Sequence, residues 1–434
     1  MMETISVYEY PERSEWQSLM TRAVAETREL HDTVAAIIAD VRSRGDEALR
    51  EMAARFDGVQ LGSLKVTPDE IAEAVDAVPH ELKNAIAVAA KNISRFHKAQ
   101  RMEEIVVETV PGVTCRQKAV PITRVGLYIP GGNSPLFSTV LMLAIPARLA
   151  GCRKIVLCTP PGKDGKVHPA ILYAASISGV TEIYKVGGAQ AIAAMAFGTE
   201  SVPRVSKIFG PGNRFVMEAK QQVSLGAAAI DMPAGPSEVM IIADGAADAR
   251  FVASDFLSQA EHGPDSQSIL LTTDAAFAAK LPVVIEELLA TLPRQEMMHK
   301  SLAHSRVILL HNDDEVMAFA NEYAPEHLII NRTDAEAIAA RVENAGSVFI
   351  GGYSPESAGD YASGTNHTLP TSGYAKAYSG VNIDSFTKKI TFQHLTPEGL
   401  ASIGPAIEIL AENEDLMAHR LAVTVRLDSL KGKS

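Results

Sequence analysis

A chain of 434 residues exceeds what one hydrophobic core usually serves, and 47% apolar against 21% charged residues marks a globular protein of two or more lobes. A net charge of −12 with no long basic run argues against nucleic acid or an anionic membrane surface as the main partner. The longest apolar run, VLMLAIPARLAG, holds a proline and an arginine and is too short for a bilayer span; the start, MMETISVYEYPERSEW, lacks the basic-then-apolar pattern of a secretory signal.

Cys115, Cys152 and Cys158 cannot all pair, and their spacing fits neither a zinc knuckle nor a redox CxxC, so a reduced, cytoplasmic setting is expected. After a short arm (1–26), Val34, Ile37, Ile38 and Val41 share one helical face, and Leu49, Met52 and Phe56 continue the pattern, with Gly45 and Gly58 at helix stops. From Val125 short apolar runs (VGLYIP, KIVLCTP, EIYKV, SKIFG) alternate with longer helical ones, as parallel βαβ units require. A second alternating series follows Gly235: EVMIIAD, SILLTTD, RVILLHND, HLIIN and SVFIGG. The predicted fold is α/β: two Rossmann-like, incomplete and mostly parallel lobes, a short N-terminal arm and a mainly helical C-terminal tail. Residues 126–236 form one lobe, 27–125 with 237–381 the other, and 382–434, beginning near ITFQHL, the tail.

Five features carry candidate chemistry, each with an ordinary structural alternative. Three strands run into glycine turns, in VGLYIPGGNSP, YKVGGAQA and IFGPGNRF; each turn leaves backbone N–H groups that suit a phosphate, yet no GxGxxG precedes an acidic residue at the usual distance. Gln259 continues the apolar stripe Val252–Phe256, and His262 lies one turn further, just before a Gly263–Pro264 stop. Unpaired burial would cost each about 1–3 kcal/mol, so the pair is either a bonded core or half of a metal site. Glu326 and His327 sit at a helix-to-strand junction, where adjacent carboxylate and imidazole can divide base chemistry or simply lie at a strand edge. The polar stretch GGYSPESAGDYASGTNHTLPTSG, with Asp360 and His367, is long for a plain connection. In the tail, Ile407, Leu410, Glu414, Met417 and Leu421 form a helical stripe broken by one carboxylate. On a straight helix His419 would point roughly 140° away from Glu414.

GLYIPGG, VGGAQAIAA, FGPGN, DMPAGPSE, LSQAEHGPDSQ, PEHL, SPESAGDYASGTNHTLPT and AENEDLMAH together resemble histidinol dehydrogenase in order and spacing, from about Arg42 to Arg426. The resemblance implies a cytoplasmic homodimer that oxidises L-histidinol through the aldehyde to L-histidine, reducing two NAD. It places one zinc per subunit on Gln259, His262, Asp360 and His419, the last from a tail that crosses to the partner. It makes Glu326 and His327 the catalytic pair, and Tyr128, Gln190 and Asn213 contacts to the dinucleotide. Substrate contacts fall on Ser237, Gln259, His262, His327, Asp360, Glu414 and His419, with His367 a further candidate. Each position carries the residue type that the motif asks for. Two rivals remain: a related NAD- and zinc-dependent dehydrogenase of another polar alcohol, and a metal-dependent hydrolase without NAD.

One topological tension follows. Gln259–His262 and Glu326–His327 precede strands, whereas Asp360 follows SVFIGG, so a purely parallel sheet would put them at opposite edges. They meet only if SVFIGG runs antiparallel or if the segment after it crosses the lobe.

Overall fold

A computed structural model describes residues 5–22, 28–131, 134–180 and 182–431. Gly132 and Asn133 of the first glycine turn, and parts of the N-terminal arm, lie outside them. In chain order the strands are β1 (Ser6–Glu9), β2 (Ile105–Val110), β3 (Val113–Pro121), β4 (Arg124–Tyr128), β5 (Lys154–Thr159), β6 (Glu182–Lys185) and β7 (Lys207–Phe209). They continue as β8 (Ala229–Ile230), β9 (Glu238–Ala243), β10 (Gln267–Thr272), β11 (Arg306–Leu309), β12 (His327–Asn331), β13 (Ser347–Ile350) and β14 (Thr387–Leu395).

The chain divides into two compact units, one of residues 1–100 with 122–386 and one of 101–121 with 387–434. Within the first, a five-stranded sheet has the order β6-β5-β4-β7-β8 and a six-stranded sheet the order β1-β11-β10-β9-β12-β13, every pairing parallel. Strands such as EVMIIA are buried at every position, because helices cover both faces of a parallel sheet. In each sheet the order reverses once, between β4 and β7 and between β9 and β12, where open α/β sheets form crevices.

The domain limits differ from expectation. The Arg28–Arg44 helix packs on the Gly188–Phe197 and Arg214–Ser224 helices, Pro68–Ala77 on Pro169–Ser178, and His80–Ala99 on Phe137–Ala150. Residues 28–100 therefore cover the five-stranded sheet instead of joining the 237–381 lobe, since the apolar stripes of its helices, such as Ile86, Ala89 and Ile93, complete that sheet's core.

The second unit is an antiparallel sheet, β14-β3-β2, followed by the Pro397–Asn413 and Met417–Lys431 helices packed on each other. TKKITFQHL is thus a strand where the sequence pattern suggested the start of a helical tail. Nine register pairs with β3 decide its state, a long-range pairing that local periodicity does not carry. Among the described residues no helix is long and apolar enough to cross a membrane, and no cysteine forms a disulfide.

Candidate active site

Three strand starts of the six-stranded sheet converge. The Ala249–Ala260 helix begins on Asp248, whose carboxylate accepts the Arg250 N–H, and it buries Val252, Phe256 and Gln259 completely. The chain then turns through His262 before β10. Next to it, the Asp313–Tyr323 helix is stopped by Ala324 in a left-handed conformation, φ 55°. That delivers Glu326 and His327 to the start of β12, 5% and 2% exposed. Ser237 stands just before β9, its carbonyl accepting the Gln267 N–H.

Asp360 reaches the same edge although β13 runs parallel to β12. After β13 the chain reverses, and the short Glu356–Tyr361 helix carries Asp360 back across the lobe. The helix lies so close that a Cβ on Gly359 would stand 2.8 Å from the Phe349 ring. The crossing segment, not an antiparallel strand, resolves the tension. The same helix brings in a residue the sequence reading missed: Glu356, four positions before Asp360 and so on its face, only 1% exposed. The signal was present as ESAGD, two carboxylates at helical spacing, in a stretch that otherwise resembles a loop.

The groups aim at one another without bonding. His262 Nε2 is 3.7 Å from Glu356 Oε1 and 3.9 Å from Asp360 Oδ2; His327 Nδ1 is 3.7 Å from both Glu326 Oε2 and Glu356 Oε1, and its Nε2 is 3.7 Å from Asp360 Oδ1. Both amide atoms of Gln259, both ring nitrogens of His327 and both carboxylate oxygens of Glu356 are shielded from solvent with no hydrogen-bond partner among the described residues. Burial drives the protonation equilibria: His327 falls to about 3 and His262 falls, Asp360 rises to about 7, and Glu326 and Glu356 rise well above the usual carboxylate range. Single atoms from His262, Glu356 and Asp360 lie within 4.8 Å of one another. Amide oxygen, imidazole and carboxylate are the donor types that suit a borderline divalent cation, and a cation would satisfy groups that otherwise lack partners.

Glu326 is held from behind. It accepts the backbone N–H of Glu238 at 3.0 Å, while the Glu238 carboxylate is clamped by Arg22 Nε at 2.5 Å and by the Tyr323 hydroxyl at 3.0 Å. His367 is a brace: one ring nitrogen meets the Asp360 carbonyl at 2.9 Å and the other meets Thr139 Oγ1 at 3.1 Å. Thr139 belongs to the Phe137–Ala150 helix after the first glycine turn, so this brace joins the edge that carries Asp360 to the five-stranded lobe.

In that lobe Tyr128, Gln190 and Asn213 line one cavity of about 1540 Å³ at the carboxyl ends of the strands. The Tyr128 hydroxyl accepts the Gly188 N–H at 3.1 Å, and burial pushes the phenol up to about 12. Asn213 caps the Arg214–Ser224 helix through its Oδ1, which accepts the Phe215 and Val216 N–H groups and leaves Nδ2 to donate. Cap and ligand contact are compatible.

Glu414 and His419 belong to the second unit, where both are exposed. Glu414 ends the Pro397–Asn413 helix, and Asp415 takes a left-handed φ of 57° before the next helix begins at Met417. The straight-helix argument that separated Glu414 from His419 therefore does not apply.

The sequence profile of the histidinol dehydrogenases matches residues 20–427. Histidinol dehydrogenase of Bacteroides fragilis (strain YCH46) is 59% identical over 427 residues, spanning 98% of this chain and 100% of that protein. The chain belongs to the histidinol dehydrogenase family. Histidinol dehydrogenase of Escherichia coli O6:H1 is 54% identical over 417 residues, covering 96% of this chain and 95% of the relative. The crystal structure of histidinol dehydrogenase from Elizabethkingia anophelis superposes with a TM-score of 0.96 at 51% identity, covering 99% of each chain. Membership in the histidinol dehydrogenase family makes this an NAD-dependent oxidoreductase.

Proposed function

We propose that this chain oxidises L-histidinol to L-histidinal and then to L-histidine, the closing steps of histidine synthesis, at the edge where Gln259, His262, Glu326, His327 and Asp360 meet. The observation that carries the reading is the gathering at one sheet edge of Gln259, His327 and Glu356, whose buried polar atoms lack partners among the described residues, with His262 and Asp360 beside them. Gln259, His262 and Asp360, with His419 of the partner subunit, would hold a zinc ion. That ligand set contains a single carboxylate, so a zinc there would keep positive charge and would supply polarisation of the alcohol oxygen and a hold on the substrate's amine and imidazole. Tyr128, Gln190 and Asn213, which line one cavity, would hold NAD, and its nicotinamide would supply the hydride acceptor for each step.

In the first step the alcohol loses a hydride from carbon and a proton from oxygen. Burial keeps His327 uncharged, and a neutral imidazole is the form that accepts that proton. In the second step water adds to the aldehyde and the hydrate loses the second hydride. Glu326, anchored by the Glu238 N–H, holds a carboxyl group where that water must be activated. Ser237 and Glu414 would complete substrate recognition, Glu414 toward a cationic group.

A homodimer with shared sites is the assembly that we propose. Supporting it, Ile409, Leu410, Met417, Leu421 and Val425 of the second unit are more than half exposed, an apolar surface that a second subunit would cover. A reducing, cytoplasmic location accords with three cysteines and no disulfide.

The test is NADH formation from L-histidinol with intact, chelator-treated and zinc-restored protein. Two NADH per substrate, lost with the chelator and regained with zinc, is the expected result. One NADH per substrate indicates a simpler alcohol dehydrogenase; none indicates metal hydrolysis without NAD.

A further inference from the structure

The dinucleotide cavity contains an acidic group that no glycine-turn pattern announced. Asp57 closes a π-helical turn, Ala53–Asp57, before Gly58 leaves in a left-handed conformation. Single π turns inside helical runs recur at functional positions. Asp57 lines the same cavity as Tyr128, Gln190 and Asn213. Its Oδ2 is shielded from solvent and has no hydrogen-bond partner among the described residues. Its charge is felt by the Tyr128 phenol, and burial raises its own pKa.

The other acids of the cavity wall are committed. Asp40 pairs with Arg44 at 2.7 Å, Glu70 with Lys185 at 2.5 Å and Glu73 with Lys166 at 2.8 Å; Asp164 accepts the Lys166 N–H at 3.1 Å. Asp57 alone among them keeps a buried, unengaged oxygen. In open α/β folds an acidic side chain near the glycine turn accepts the ribose hydroxyls of NAD, and it repels the 2′-phosphate of NADP. Here the acid at that spacing after a turn, Asp231, is already engaged by Lys220 at 2.5 Å and by the Gly210 N–H at 2.8 Å.

We infer that Asp57, supplied by the helical layer ahead of the sheet, accepts the adenosine ribose hydroxyls and sets the preference for NAD over NADP. The inference rests on the reading of this cavity as the dinucleotide site. An unpaired carboxylate at this position gains two donors from a vicinal diol and meets a like charge in a 2′-phosphate.

Calorimetric titration with NAD, NADP, ADP-ribose and 2′-phospho-ADP-ribose, without histidinol, tests it independently of turnover. The native chain should bind the unphosphorylated pair more tightly. Asp57→Asn should weaken that pair about tenfold to a hundredfold and leave the phosphorylated pair unchanged or tighter. Asp57→Glu, which keeps the charge, should retain the discrimination against phosphate even where its geometry weakens both pairs. Equal changes for all four ligands in Asp57→Asn, or none, overturn the inference while leaving the cavity a dinucleotide site. Failure of the native chain to bind any of the four overturns the cavity's reading, and the inference with it.

Discussion

Glu326 and His327 share an environment that acts on them in opposite senses, keeping the imidazole neutral and the carboxyl protonated to higher pH. Glu326→Gln preserves the shape and the contact with the Glu238 N–H while removing the base. It should slow histidinal oxidation by about 10²–10⁴ and alcohol oxidation far less, measured with each substrate supplied separately. Equal slowing of both half-reactions would remove Glu326 from the water step. Asp360 makes a second prediction through its displaced titration. Its pKa rises from 3.8 to about 7, so between those values the folded chain holds a proton that the unfolded chain releases. Stability from this group is complete below pH ~4 and is lost as pH rises toward 7. His327 works the other way, since stability is lost as pH falls from its ordinary 6.5 toward about 3. Chelator-treated Asp360→Asn should therefore be more stable than the chelator-treated native chain at pH 7.5, by roughly 1–3 kcal/mol, and little different at pH 4 in denaturant melts. Glu356→Gln should weaken zinc by about 10–100-fold in competition with a chelator, because the carboxyl 3.7 Å from both histidines can ionise when a cation binds and an amide cannot. Gln259 and His262 were legible as a pair because an inward stripe ran into them. Glu356 was not, because one short helix hidden in a polar stretch offers no periodicity to read.

The element that matters most is the segment from Gly351 to Thr371, which carries two carboxylates across the lobe. It is fastened at its far end by Asn366, whose Nδ2 donates to the Met142 carbonyl at 2.6 Å and whose Oδ1 accepts the Thr368 N–H at 3.0 Å. Asn366→Ala leaves the carbonyl without that donor and frees the segment. Zinc affinity should drop about tenfold or more and thermal stability by about 1–3 kcal/mol. Unchanged metal affinity with reduced stability would confine Asn366 to the fold. The strands themselves were readable, since EVMIIA or SILLTT is apolar throughout and flanked by helical stretches. The partners of the Arg28–Ala99 helices were not: a stripe says that a face is buried, not against which sheet. β14 was misjudged for a related reason, because its exposed Lys388, Lys389 and Gln393 dilute the apolar pattern of an edge strand.

At the scale of the whole molecule, the proposed sharing of sites between subunits has a consequence for mixtures. His327→Asn and His419→Asn should each be inactive alone. If the tail crosses between subunits, mixing the two variants under conditions that exchange subunits should restore up to about a quarter of native activity, because half of the sites in each heterodimer are intact. No recovery would place His419 in its own subunit's site or outside any site. A last consequence lies in time rather than space. β1 is made first, yet its partner β11 begins at Arg306, and β3 waits for β14, which begins at Thr387. At roughly 5–20 residues per second, a ribosome leaves the first strand single for about 15–60 s. During that interval SVYE is an unpaired strand, the kind of segment on which chaperones act and nascent chains aggregate. The six-stranded sheet closes late, and the second unit cannot close before the final fifty or so residues have emerged. Protease pulses on stalled chains should find Ser6–Glu9 cleavable until β11 is synthesised, and protected soon after.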